Sequence, residues 1–121
     1  MFGFEKLEVW QKAIELTDSI YSVTRSFPND ERFGLTSQMR RSSVSIASNI
    51  AEGSGRGSNP DFARFVEIAY SSLMELITQL RIAYRQGFLH KNSYDDAYFK
   101  SETIARMLSG LRSSLKINDT R

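Results

Sequence analysis

The chain of 121 residues contains no cysteine, one histidine, one tryptophan and two prolines. Without cysteine there are no disulfide staples and no thiolate metal ligands, which fits a reducing compartment. The lone histidine, His90, falls in the turn GFLHKNS and reads as a solvated or capping residue. Serines are abundant, but none has a histidine–carboxylate relay to activate it. No Glu has a His three residues on, so the di-iron bundle pattern is missing as well. No apolar run approaches the length of a membrane span. The N-terminal MFGFEKLEVWQKAIEL carries Glu5, Glu8 and Glu15 and lacks the apolar core of a secretory signal. These absences predict a cytoplasmic, non-enzymatic protein with no cofactor, no metal and no membrane contact.

What is present suits one domain over residues 1–121, since 40% hydrophobic residues can bury a core at this length. The net charge of +2 is too small to imply a nucleic-acid partner by itself. Its distribution says more. Residues 1–31 hold three basic and six acidic side chains, whereas residues 32–64 hold Arg32, Arg40, Arg41, Arg56 and Arg64 against Glu52 and Asp61. Arginine favours bidentate pairing with carboxylate or phosphate. Two readings follow: the arginines pair with the acidic first helix, or they face a polyanion.

Apolar residues recur at three- and four-residue steps, with no strand-like alternation, and both prolines fall at segment boundaries. The pattern predicts helices over about 6–26, 35–53, 60–86 and 93–116. The first carries the stripe Trp10, Ala13, Ile14, Thr17, Ile20, Tyr21 and Thr24, widened by Val9, Leu16 and Val23. The second places Leu35, Met39, Ser43, Ile46 and Ile50 on one face. Thr36, Val44, Ala47 and Ala51 form a small apolar strip that would let another backbone come close. Arg41, Ser45, Ser48 and Glu52 lie nearly opposite. The third has a core stripe from Phe62 and Phe65 to Ala83 and a second stripe of Tyr70, Met74, Ile77 and Tyr84. Asn59 is its expected N-cap, Pro60 its first residue, and Gly87 its left-handed terminator. Ser93 is the expected cap of the fourth, whose stripe runs from Tyr94 to Leu115, and the tail INDTR is expected to fray. Four helices with short connections predict an all-α, antiparallel up-down-up-down four-helix bundle. The apolar faces of the first and third helices are wider than one seam needs, which suits either a broad core or a second copy of the chain.

The stretch NIAEGSGRGSNPDF, residues 49–62, invites comparison with phosphate-binding loops. Those loops follow a strand, and the Walker type needs a lysine that GSGRGS lacks. The plainer reading is a link: Gly53 or Gly55 ends the second helix, Arg56 points outward, and the third helix begins at Asn59-Pro60. The start of that helix, beside Arg56 and Arg64, would suit an anion. Glu67 and Glu75 share one side of the helix and read as a solvated face.

The runs FEKLEVWQKAIEL, FPNDERFGLTSQMRRSSVSIASNIAEGSGR and FARFVEIAYSSLMELITQLRIAYRQGFL closely resemble the proteins encoded within intervening sequences of bacterial 23S ribosomal RNA genes. The resemblance covers about residues 4–115. Many members carry a proline at the position of Ala47, so this chain is expected to lack a kink there. What the resemblance implies is a four-helix bundle assembling as a ring-like homopentamer. A related branch, the accessory proteins of diversity-generating retroelements, binds reverse transcriptase and nucleic acid through a basic surface. The family motif falls on Arg40, Arg41, Ser45, Asn49, Glu52, Gly53, Gly55 and Arg56 and marks none of them as catalytic. The resulting expectation is an oligomeric scaffold contacting RNA or an RNA-associated protein. Its nucleic-acid surface would be Arg40, Arg41, Arg56, Arg64, Lys100, Arg106, Arg112 and Lys116. Arg41, Ser45, Asn49 and Glu52 would form a polar interface network. The alternative is a protein-binding adaptor with no nucleic-acid contact.

Overall fold

A computed structural model describes residues 1–119. Among them are four α-helices: α1 (Glu8–Thr24), α2 (Leu35–Ser54), α3 (Asn59–Arg85) and α4 (Lys91–Asp119). Two short 3₁₀ turns, Gly3–Lys6 and Asn29–Glu31, complete the regular structure, and no strand occurs among the described residues. The expected fraying tail is helical as far as Asp119, and Thr120 and Arg121 lie outside the described residues.

The helices pack around a core that includes Ala13, Leu16, Ile20, Met39, Ile46, Ile50, Leu73, Leu76, Leu80, Ile104 and Leu108, all buried. The core stripe of α1 is Val9, Ala13, Leu16, Ile20 and Thr24. Ile14 and Tyr21, placed in the stripe by their spacing, lie instead on its outer side and are exposed. A helix of 3.6 residues per turn lets either of two adjacent lines face inward, and packing against α2 and α4 decides between them.

The ends of the helices have local causes. The chain enters α1 through the 3₁₀ turn, where the Phe2 amide donates to Glu5 Oε1 at 2.8 Å, and extended Leu7 separates that turn from α1. This delays the start of α1 from residue 6 to Glu8. α1 ends at Thr24, short of residue 26, because a residue before proline avoids helical dihedrals and Phe27 precedes Pro28. Phe27 is buried and packs its ring 5.5 Å from that of Phe88. Glu31 Oε1 accepts from the Leu35 amide at 3.0 Å and so caps α2. At the end of α3, Gly87 has φ +82. The Phe88 amide donates to Ala83 O and the Gly87 amide to Tyr84 O, a Schellman closure.

Two expectations about caps shift. Ser58 is the N-cap of α3, accepting from the Asp61 amide at 3.3 Å, and Asn59 is already helical. α4 begins at Lys91, with His90 O accepting from the Tyr94 amide, two residues ahead of the expected start at Ser93.

Candidate nucleic-acid and partner surface

Of the two glycines that could end α2, Gly55 does so and Gly53 does not. α2 continues through Gly53 to Ser54, so Gly53 terminates nothing. It is buried, and a Cβ placed there would lie 2.6 Å from Phe65 Cβ and 3.0 Å from Phe62 Cδ1. Its role is close approach of α2 to α3, which no other residue type permits at that spacing. Gly55 is the C-cap, with an ordinary right-handed φ of −87.

Arg56 is exposed, yet it lies against the body rather than standing free. Its guanidinium lies 4.6 Å from the centroid of the Phe65 ring and 3.4 Å from Glu52 Oε1. Arg64 lies 5.3 Å from the same ring and 3.4 Å from Asp61 Oδ1. Two cations therefore share one aromatic ring, and each also has a nearby carboxylate three or four residues away, Glu52 at the end of α2 for Arg56 and Asp61 within α3 for Arg64. The start of α3 is correspondingly occupied: the Ser58 hydroxyl takes the Asp61 amide, and the Asp61 carboxylate takes Arg64.

Of the remaining expected cations, Arg40, Lys100, Arg112 and Lys116 sit at helix junctions. Arg40 bridges α2 to α1, donating from Nε to Thr24 Oγ1 at 2.9 Å and lying 4.6 Å from the Tyr21 ring centroid. Lys100 bridges α4 to α1, donating to Ser19 Oγ at 2.8 Å, and pairs with Asp96 at 3.0 Å. Arg106 reaches only Thr103 Oγ1, at 3.5 Å. Arg112 and Lys116 converge on Glu67 across the α3–α4 junction, at 2.6 and 3.8 Å. The Arg112 hydrogen bond and charge, joined by Lys116, hold the Glu67 carboxyl below its ordinary value of 4.5. Among the described residues, no arginine of the central segment pairs with a carboxylate of α1.

The residues expected to form a polar network divide into three local sets. Arg41 donates to Ser37 Oγ at 3.1 Å. Asn49 donates to Ser45 O and Oγ, and Ser45 Oγ shares a 2.9 Å hydrogen bond with Ser72 Oγ of α3. Glu52 turns to Arg56. Within one chain, no hydrogen bond among the described residues joins Arg41 to Glu52. The link to Ser72, 27 residues downstream, was invisible to a reading confined to one helix face.

Several apolar side chains remain open to solvent: Ile14 and Tyr21 on α1, Ile68, Tyr70, Met74 and Ile82 on α3, and Phe99 on α4. Phe33, between α1 and α2, is the most exposed of the internal ones at 83%. No group of three or more His, Asp or Glu side chains among the described residues is arranged to hold a metal. None of the helices is long and apolar enough to cross a membrane.

The geometry defines a class: an all-α bundle of four packed helices whose exposed cations are dispersed over its surface. The sequence profile described as 23S rRNA-intervening sequence protein matches residues 5–110, and the chain belongs to that family. Among solved structures, it is similar to the crystal structure of a protein with unknown function from the S23 ribosomal protein family of Bacteroides thetaiotaomicron. The two share 24% identity over 86% of this chain and 97% of that chain, with a TM-score of 0.78, and the likeness shows the fold. No curated protein matches.

Proposed function

We propose that the protein is a non-enzymatic, oligomeric scaffold that contacts RNA or a ribonucleoprotein through its basic side chains in the cytoplasm. The observation that carries this reading is membership, over residues 5–110, of a family described by an intervening sequence of 23S rRNA. The cations supply the chemistry. Arg41, Arg106, Arg112 and Lys116 are exposed on the helices, and Arg56 and Arg64 are exposed beside the α2–α3 turn. With no sheet among the described residues to stack bases on, binding is directed to the RNA backbone, with little sequence preference.

Self-assembly is supported by the apolar side chains left open on α1 and α3. The family resemblance favours a ring of five. An antiparallel up-down-up-down order is supported by the cross-helix bonds. Thr17 meets Ser43 while Thr24, further along α1, meets the earlier Arg40; Glu67 meets Arg112 while Arg81 meets the earlier Tyr94. A ring would repeat each basic site about its axis and raise avidity without adding a new contact.

Gel-shift titration against structured RNA at two salt concentrations tests the RNA reading. Affinity is expected to fall steeply with salt through counterion release. Arg56→Glu with Arg64→Glu is expected to weaken binding to all RNA sequences alike. Light scattering is expected to give several times the 13.8 kDa of one chain. A monomer at micromolar concentration overturns the assembly, and absence of RNA binding at low salt overturns the RNA contact. The second reading, a protein-binding adaptor, is favoured by one observation: Arg56, Arg64, Lys100, Arg112 and Lys116 each already face a carboxylate of the same chain.

A further inference from the structure

The Glu67 cluster sits in the middle of a long groove between α3 and α4. On one side of it a cavity of about 350 Å³ is lined by Tyr70, Ser71, Ser109 and Arg112 among others. On the other side a second cavity of about 350 Å³ is lined by Asn59, Arg64 and Lys116 among others. Glu67 and its cations divide the two. Among the described residues, Arg64, Arg112 and Lys116 thus line the two cavities with Glu67 as their lining carboxylate, and Arg64 also meets Asp61 at 3.4 Å. Arg112 and Lys116 both point at that carboxylate, and the three partners are roughly half exposed.

A carboxylate held between a guanidinium and an ammonium occupies the place that a phosphate oxygen would take, since both cations serve either anion. Tyr70 stands one helical turn from Glu67, is 36% exposed, and lines the cavity beside Arg112. Arg64 lies on the other side of Glu67, so cation, carboxylate and aromatic ring span roughly 9 Å along α3. Cations beside a partly exposed aromatic ring are the elements of a single-strand site. A rigid duplex offers no unstacked base to the ring.

We propose that the α3–α4 groove binds single-stranded RNA, with Glu67 acting as a built-in phosphate mimic that the RNA displaces. Arg112 and Lys116 exchange the carboxylate for backbone phosphate, Arg64 holds the flanking phosphate, and a base stacks on Tyr70. Glu67 thereby sets a threshold: it keeps the cations positioned and weakens capture of isolated anions, which cannot offer several phosphates at once. This rests on the RNA reading above and names the strand type, the site and its regulation.

The test uses the full chain and a fluorescent 12-residue oligouridylate, compared with an RNA duplex of the same length and with an oligoglutamate peptide. Glu67→Gln removes the mimic's charge and is expected to tighten single-strand binding about fivefold. Tyr70→Ala is expected to weaken it about tenfold, near the loss of one stacked base, and Tyr70→Phe to restore it. Melting curves confirm that these surface variants are folded. If the wild type binds single strands but neither Glu67→Gln nor Tyr70→Ala changes the affinity, the groove is overturned while the broader RNA reading stands. Preference for the duplex, or tightening by Glu67→Gln for the peptide alone, also overturns it, the latter in favour of an acidic protein segment. No RNA binding at low salt overturns both.

Discussion

The α2–α3 and α1–α4 junctions are built on opposite plans. α2 and α3 share the most extensive contact between elements in the molecule, and α1 and α4 the least among the four helix junctions. At the first, Gly53 sits against Phe65 and Phe62, and Ser45 reaches Ser72 directly. At the second, the long side chain of Lys100 spans to Ser19, and a groove of about 480 Å³ runs beside Ser19, Ser22, Ser93 and Asp96. A smaller polar groove, about 240 Å³, borders Ser42, Ser45 and Ser72. Small residues on one helix let the neighbouring backbone approach, so contacts become short and exact. Where the residues are longer, flexible polar side chains bridge the gap and leave room beside it.

The comparison can be broken most severely at Gly53. Gly53→Ala would gain up to about 1 kcal/mol of helix propensity at an open site. Here the added Cβ overlaps Phe65 Cβ, whose position is set by the α3 backbone rather than by a flexible side-chain tip. Overpacking of this kind costs about 1–3 kcal/mol, and a net loss is expected in chemical denaturation. A stabilised Gly53→Ala variant would show that the two helices can separate freely. Next, Ser45→Ala removes one of the two acceptors of Asn49 Nδ2, leaving the Ser45 carbonyl, and removes the partner of Ser72, for an expected loss of about 0.5–1.5 kcal/mol. The double variant with Ser72→Ala is expected to be closer to wild type than additivity of the two single losses allows, because no half-satisfied hydroxyl remains.

The α1–α4 junction is expected to respond less. Lys100→Met removes partly exposed bonds to Asp96 and Ser19, and a loss below about 1 kcal/mol is expected, with the stem packing retained. A larger loss would mean that this junction depends on its one bridging cation. The α3–α4 junction supplies an intermediate case through pH. Glu67 is held below its ordinary carboxyl value, so its contribution is present above about pH 4.5 and disappears as pH falls through the lower folded value. Denaturation midpoints of wild type and Glu67→Gln should therefore converge on acidification. Midpoints that stay equally far apart at every pH would show that the carboxylate charge contributes nothing.

Much of this contrast was legible in the sequence, and the rest failed for identifiable reasons. Periodicity located four helices, because their core lines recur at three- and four-residue steps over long stretches. Gly87 announced its left-handed turn because it follows the last periodic residue of α3 and precedes an apolar Phe88. Gly53 stood in the same kind of place, and the sequence offered either it or Gly55 as the end of α2; Gly55 is the C-cap. A glycine chosen for close approach and one chosen for a turn look alike until the neighbour, Phe65, is placed in space. The small apolar strip on α2 pointed toward close packing, but its Val44 is exposed, and the close approach falls instead at Gly53 and Ser45. The cations were legible as charges, not as pairs. Local partners, Glu52 for Arg56 and Asp61 for Arg64, lie at readable helical spacings. The meeting of Glu67 with Arg112, 45 residues apart, depends on how α3 and α4 are juxtaposed and left no signal in the chain.

The turn at residues 55–58 joins the two helices that share the largest contact. Closing so short a connection costs little chain entropy, and the contacts it enables follow at once. Folding should therefore nucleate on the α2–α3 pair, with α1 and α4 condensing later onto its exposed sides. In refolding experiments, Ile50→Val and Leu73→Ala would slow the forward reaction, whereas Leu16→Ala and Leu108→Ala would mainly accelerate unfolding.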